Sequence, residues 1–203
     1  MVGTKAKLNL KGQQRELVKS RWSELGVQDL ASYRNAFNAQ LRSVFCEMPA
    51  FSSIGVFSPL KDEPNWIDAF KDLKQEFAYP HCISDTEMIF RKSNESQLVM
   101  NEVNNLKIKV PSHDSPEVTP DILFVPGVVF DLKGGRIGRG KGFYDRYMAQ
   151  FKGPKIGLCY EFQIVEDVPK EEHDINIDVL ISSCGVYDFT GVLSTLTKKE
   201  KKA

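Results

Sequence analysis

The sequence of 203 residues has no net charge, since Lys plus Arg number 27 and Asp plus Glu number 27. No global field therefore draws it to nucleic acid or to an anionic membrane, and neither is expected as a partner. Cysteine and histidine are sparse. Cys46, Cys82, Cys159 and Cys184 include no C-x-x-C pair, and His81, His113 and His173 are equally dispersed, which argues against zinc and for reduced thiols. No apolar run reaches membrane-spanning length, the stretch MVGTKAKLNLKG lacks the apolar segment of a secretory signal, and no internal repeat is visible. The expectation is a cytoplasmic monomer. Its length suits one domain over residues 1–195, followed by a charged, frayed tail over 196–203.

What is present centres on Asp121–Met148. Ile122-Leu123-Phe124-Val125 reads as a buried strand, broken by Pro126-Gly127 and resumed by Val128-Val129-Phe130. Asp131-Leu132-Lys133-Gly134-Gly135 has the composition of a tight turn. Gly138-Arg139-Gly140-Lys141-Gly142 then alternates glycines with cations, ahead of Phe143, Tyr147 and Phe151 at helical spacing. Strand, glycine loop and helix in that order point free backbone N–H groups at an anion, and the cations complete the cradle. The loop is neither a Walker sequence nor a G-x-G-x-x-G fingerprint, so a flexible basic hairpin is the rival reading. Asp145 suits the first helical turn by charge alone, and beside bound phosphates it also suits a Mg²⁺ ligand.

The rest reads as alternating helices and strands. A helix is expected over Gln13–Leu25, with Lys11, Arg15, Lys19 and Arg21 at or near its start, where a solvated face is the usual reading of such a run. Asp29 is expected to cap a second helix with Tyr33, Phe37, Leu41 and Phe45 on its buried face, closed by Pro49. Ser53–Phe57 is a strand and Ser58–Pro64 the loop at its C-terminal end, where open α/β sheets bind ligands, which marks Glu63. A helix from Asn65 through Phe77 follows, with Leu73 on its buried face, and then strands at Ala78–Pro80 and Met88–Arg91. Lys92–Pro120 reads as loop with one edge strand at Ile108–Val110, strands recur at Lys155–Tyr160 and Asp178–Ile181, the last of the sheet, and Val186–Phe189 is a final short segment. This order predicts an α/β fold with a mostly parallel sheet flanked by helices on both faces.

With those residues in place, the chain resembles the 5-formyltetrahydrofolate cyclo-ligase family. The family pattern D-x-x-x-x-P-G-x-x-F-D-x-x-G-x-R-x-G-x-G-x-G-(Y/F)-Y-D-R is met by Asp121, Pro126-Gly127, Phe130-Asp131, Gly134, Arg136, Gly138, Gly140 and Gly142–Arg146. Looser features fall in order: Lys11, Arg15 and Arg21; Pro59 and Glu63; Pro80 and Met88-Ile89-Phe90; Gln163; and the segment from His173-Asp174 to Asp178. Lys7 with Lys11 is a rival register for the first of these. A G-I-x-E-P-like motif is missing, with Lys109–Ser112 in its neighbourhood, and Phe143 stands where tyrosine is common.

The resemblance implies a fold similar to sugar-phosphate isomerases and CoA transferases. It also implies ATP- and Mg²⁺-dependent conversion of 5-formyltetrahydrofolate to 5,10-methenyltetrahydrofolate, with small-molecule substrates only. Its implied nucleotide contacts are Lys11, Arg15, Arg136, Ile137, Gly138, Arg139, Gly140, Lys141, Gly142, Phe143 and Tyr144, with Arg139 and Lys141 acting on the phosphoryl group in flight. Folate contacts fall on Ser58, Glu63, Phe143 and Tyr144, and Mg²⁺ on Asp145 and Asp178, the latter equally readable as a strand-entry carboxylate. The alternative is a non-catalytic module of related fold that binds a phosphorylated metabolite. Single-stranded RNA binding is a third reading, opposed by the neutral charge.

Overall fold

The computed structural model describes residues 2–46, 51, 53–71, 75–103 and 106–197. Two helices lead, α1 (Val2–Glu24) and α2 (Val27–Cys46). Strands β1 (Ile54–Gly55), β2 (Phe77–Cys82), β3 (Met88–Ser93), β4 (Val99–Val103), β5 (Leu106–Val110), β6 (Ile122–Val125), β7 (Val129–Asp131) and β8 (Arg136–Ile137) follow. Helix α3 (Phe143–Gln150), strands β9 (Lys155–Leu158), β10 (Ile164–Val165), β11 (Val179–Ser182) and β12 (Gly185–Asp188), and helix α4 (Val192–Thr197) complete the order.

The main sheet has seven strands in the order β12-β11-β9-β6-β1-β2-β3. Pairings from β11 to β2 are parallel, and the edge strands β12 and β3 are antiparallel. Strand β6 lies in the middle, which explains its unbroken apolar run: Ile122, Leu123, Phe124 and Val125 are all fully buried. Its side chains alternate between faces. Ile122 and Phe124 pack with Phe37 and Leu41 of α2, whereas Leu123 and Val125 pack with Met148 of α3. The mostly parallel sheet with helices on both faces is as expected.

A small sheet, β10-β7-β8, projects beside it. Its β7–β8 turn is built by the buried Asp131. Asp131 Oδ1 accepts from the N–H groups of Lys133 (2.8 Å) and Gly135 (2.7 Å), and Oδ2 from Val168 N (2.9 Å). That turn sends the chain through Arg136 into the glycine loop.

Several expectations are corrected. Residues 65–77 are not one helix: Asn65 Oδ1 does accept from Ile67 N at 3.2 Å, but among the described residues of that range only a 3₁₀ turn, Ile67–Ala69, forms, and Phe77 already opens β2. Phe70 and Phe77 pack edge-on with ring centroids 5.6 Å apart, so the aromatic spacing that mimics a helical face fills the core from a turn and a strand. Lys92–Pro120 is not mainly loop, because β4 and β5 pair as a hairpin there. Asp29 is inside α2, with Oδ2 reaching back to Gly26 N at 3.1 Å. Helix α1 begins well before Gln13. Pro49, Leu73 and the charged tail from Lys198 onwards lie outside the described residues. All four cysteines are free thiols. Among the described residues, no helix is long and apolar enough to cross a membrane.

Candidate active site

A cavity of about 320 Å³ opens at the C-terminal ends of β1 and β6, where Phe57, Pro126 and Gly127 leave the sheet. Helix α1 closes one side with Lys11 and Arg15, and the loop after β1 another with Ser58 and Glu63. The glycine loop and the start of α3 form the base, and Glu171–Asp174 borders α1. Every residue expected to contact nucleotide or folate, from Lys11 to Tyr144, lines this one space.

The glycine loop takes its shape from backbone conformations other residues resist. Gly140 and Gly142 have φ of +94° and +68°, and Gly142 caps α3 directly. Arg146 braces the turn, its Nη2 donating to Lys141 O at 2.8 Å and its Nε to Thr86 O at 2.6 Å. The Arg146 guanidinium also lies 5.3 Å from the centre of the Phe143 ring. Gly140 and Lys141 are exposed toward the opening, whereas the Ile137 side chain packs with Val18, Val129 and Val168 and only borders the cavity.

Arg139 joins the loop to the opposite wall. Its Nη2 reaches Asp62 Oδ1 at 2.6 Å and Glu63 Oε1 at 3.3 Å. Glu63 is buried and also accepts from Leu60 N at 3.0 Å. Burial pushes its carboxyl above the usual range, opposed by the Leu60 amide and by Arg139. Ser58 Oγ donates to Lys109 O at 2.5 Å, which draws β5 to the cavity edge. The Tyr144 hydroxyl is buried and has no hydrogen-bond partner among the described residues, and burial pushes it far above the usual phenol value.

On the other side, Lys11 Nζ holds Glu171 Oε2 at 2.7 Å and Asp174 Oδ2 at 2.6 Å. Burial works against the Lys11 charge, but the hydrogen bonds and charges of Asp174 and Glu171 outweigh it and raise its pKa. Lys7 instead donates to Lys170 O at 2.7 Å, so the register that puts Lys11 and Arg15 in the cavity is the one the fold adopts. Arg15 Nε donates to Gly138 O at 2.9 Å, and burial lowers its pKa. Arg21 stays outside the cavity, donating to the carbonyls of Phe162 (3.0 Å) and Ile164 (3.3 Å).

The carboxylates need one correction. Asp145 lies in the cavity, paired to the buried Arg136 Nη2 at 2.8 Å. Asp178 does not. It accepts from Lys155 N at 2.8 Å and pairs with Lys155 Nζ at 2.9 Å, where β9 and β11 begin, at the opposite end of the strands. The strand-entry reading holds for it. Asp174 does line the cavity, and the next residue's amide, Ile175 N, lies 3.5 Å from Asp145 Oδ1. Cys82 and Leu8 join Phe57 and Met88 as apolar wall, and no motif marks the first two.

A model of the 5-formyltetrahydrofolate cyclo-ligase family matches residues 33–183. The chain is similar to the 5-formyltetrahydrofolate cyclo-ligase of Mycoplasma pneumoniae, at 29% identity over 151 residues, or 71% of this chain and 81% of that one. It is 37% identical over 117 residues to the Escherichia coli K12 enzyme of that name, covering 54% of this chain and 63% of the other. Its structure is similar to that of Aquifex aeolicus 5,10-methenyltetrahydrofolate synthetase, with a TM-score of 0.73 at 27% identity over 89% of this chain and 93% of that one. Lys11 and Arg15 precede the family match, so it is the packing of α1 that joins them to the cavity.

Proposed function

Because this chain belongs to the 5-formyltetrahydrofolate cyclo-ligase family and is an enzyme of that class, we propose that it uses ATP and Mg²⁺ to convert 5-formyltetrahydrofolate into 5,10-methenyltetrahydrofolate, ADP and phosphate. The observation that carries this is a cationic glycine loop facing a buried glutamate across one cavity, with Arg139 joining them. The loop's open amides, Arg15, Arg139 and Lys141 suit a polyphosphate. Glu63 suits the N–H edge of a pterin ring, and the unpartnered Tyr144 hydroxyl is free to donate to a substrate oxygen.

In this reading the γ-phosphoryl group passes to the formyl oxygen and ADP leaves. N10 of the folate attacks the formyl carbon and loses its proton, the C–O bond breaks, and phosphate departs as the ring closes. Phosphorylation makes a poor leaving group into a good one, so the chain supplies position and charge and no nucleophile. Asp145 and Asp174 fit a hard cation because they bring carboxylate oxygens to the loop. When bound, Mg²⁺ neutralises phosphate charge there. The regulatory-module alternative gives Glu63 and Asp145 no task, and the relatives named above are enzymes.

The test is the rise in near-ultraviolet absorbance of methenyltetrahydrofolate when protein meets 5-formyltetrahydrofolate, ATP and Mg²⁺. Lys141→Ala and Asp145→Ala are expected to lower the rate about a hundredfold while circular dichroism stays native. A folded protein that binds nucleotide and gives no ATP-dependent signal would overturn the proposal.

A further inference from the structure

The histidines are widely spaced in sequence, but the fold brings two of them together. His81 on β2 and His113 in the loop after β5 have ring centroids 5.9 Å apart, with the rings inclined at 73°. Pro80 and Cys82 line the main cavity, so strand alternation turns His81 to the opposite face of β2, away from it. The His81 ring is arranged as a ligand. A hydrogen bond to the Pro111 carbonyl holds it, while Nδ1 is buried and has no partner among the described residues. One ring nitrogen held by a backbone carbonyl while the other keeps its lone pair is the arrangement of metal-binding histidines.

Burial, Arg91 and His113 hold the His81 pKa below the ordinary histidine value, against the Pro111 bond, so the lone pair is free of its proton at neutral pH. His113 is exposed, and the Asp114 carboxylate lies 3.8 Å from its Nδ1. The distances suit one shared ion. A zinc–imidazole bond of about 2.0–2.1 Å puts a ring centre roughly 3.2 Å from the metal, so two rings on a tetrahedral ion have centres about 5 Å apart. A small turn of the exposed His113 side chain closes the remaining gap. Arg91 shares this face of the sheet, with Nη1 committed to Ser115 O at 2.7 Å. Its charge opposes a cation held by electrostatics alone, which disfavours Mg²⁺ and Ca²⁺ and leaves the metals that bond strongly to imidazole nitrogen. Glu171, His173 and Asp174 also bring ligand atoms together, but they border the main cavity and Lys11 Nζ already holds both carboxylates.

We propose that His81 and His113, completed by Asp114 and water, bind a divalent cation of the zinc class (Zn²⁺, Ni²⁺ or Cu²⁺). The ion clasps the 111–118 segment to β2. That segment already covers the edge of β3, where Lys92 N donates to Pro116 O at 2.8 Å and Val118 N to Phe90 O at 2.9 Å. It continues from β5, whose Ile108 and Lys109 border the main cavity. A bound ion therefore stiffens one wall of the cavity from outside, and its ligands take no part in the proposed reaction.

Binding of Zn²⁺ to the full, metal-free chain is measured by calorimetry. His81→Ala and His113→Ala are each expected to weaken it about tenfold or more, and His173→Ala to leave it within about twofold. Because His113 is exposed, its substitution keeps the fold intact, which circular dichroism checks. Zn²⁺ is expected to raise the unfolding temperature of the wild type and of His173→Ala, and not that of His113→Ala. X-ray absorption of the bound zinc is expected to show two imidazoles at about 2.0–2.1 Å. Binding that survives both His81→Ala and His113→Ala, binding lost with His173→Ala, sulfur ligands at about 2.3 Å, or no calorimetric binding at all would overturn the site and leave the proposed reaction standing.

Discussion

Asp174 and Asp178 lie within one turn of sequence, yet they serve opposite ends of the sheet. Asp174 faces the cavity beside Lys11, while Asp178 receives Lys155 where the parallel strands begin. Substitution separates the two roles. Asp178→Asn is expected to cost about 1–2 kcal/mol of stability through its half-buried hydrogen bond and ion pair, read by denaturant unfolding, with Mg²⁺-dependent nucleotide binding unchanged. Asp174→Asn is expected to weaken that binding at least tenfold, read by calorimetry. If Asp178→Asn weakened it equally, Asp178 would serve the cation despite its place at the strand entry. The motif residues Asp131 and Gln163 divide similarly from Arg139 and Lys141, since their side chains are spent on backbone groups that shape the turn and wall.

At the scale of elements, α1 docks mainly through polar contacts. Of its described side chains only Lys11 and Val18 are buried, while Leu8, Leu10 and Leu17 are each about half exposed. Lys7, Lys11 and Gln14 all bind the 167–174 segment. The docking should therefore depend on pH. Burial opposes the Asp174 charge, but Lys11 and the Glu171 amide outweigh it and hold its pKa below the ordinary 3.8. The pKa of Lys11 is held above the ordinary 10.5. A depressed carboxylate gives stability above 3.8 that fades as pH falls through its folded value, and a raised lysine gives stability below 10.5 that fades as pH rises through its own. The stability difference between wild type and Lys11→Met is thus expected to be full between those limits and to shrink beyond each. Guanidinium midpoints across pH check it, and a flat difference would count against the ion pair as the source.

The whole molecule places its chemistry at one end of a sheet covered on both faces. That covering leaves little room, as Gly157 on β9 shows: a Cβ there would collide with Ile177 Cδ1 and lie 2.9 Å from Phe130 Cε1. Gly157→Val is expected to cost about 1–3 kcal/mol through overpacking. Thermal melting should show it as a fall of roughly 2–4 °C per kcal/mol in a domain of this size. An unchanged melting temperature would mean that Ile177 and Phe130 give way more easily than this packing implies.

Local chemistry made much of this legible in sequence. A fully apolar run of four residues reads as a buried strand because burial on both faces requires it, and glycines alternating with cations read as an anion loop because backbone conformation and charge are properties of the residues themselves. The long motif made the family legible for the same reason. Other features depended on long-range packing. Phe70 and Phe77 have helical spacing, but the aromatic cluster under the sheet recruits them from a turn and a strand. The β4–β5 hairpin is polar enough to read as loop, yet cross-strand pairing forms it. The placement of Asp178 away from the cavity lay in strand register, and that of Lys7 and Lys11 in how α1 meets the 167–174 segment. Those are contacts across more than a hundred residues for α1, and no local pattern encodes them.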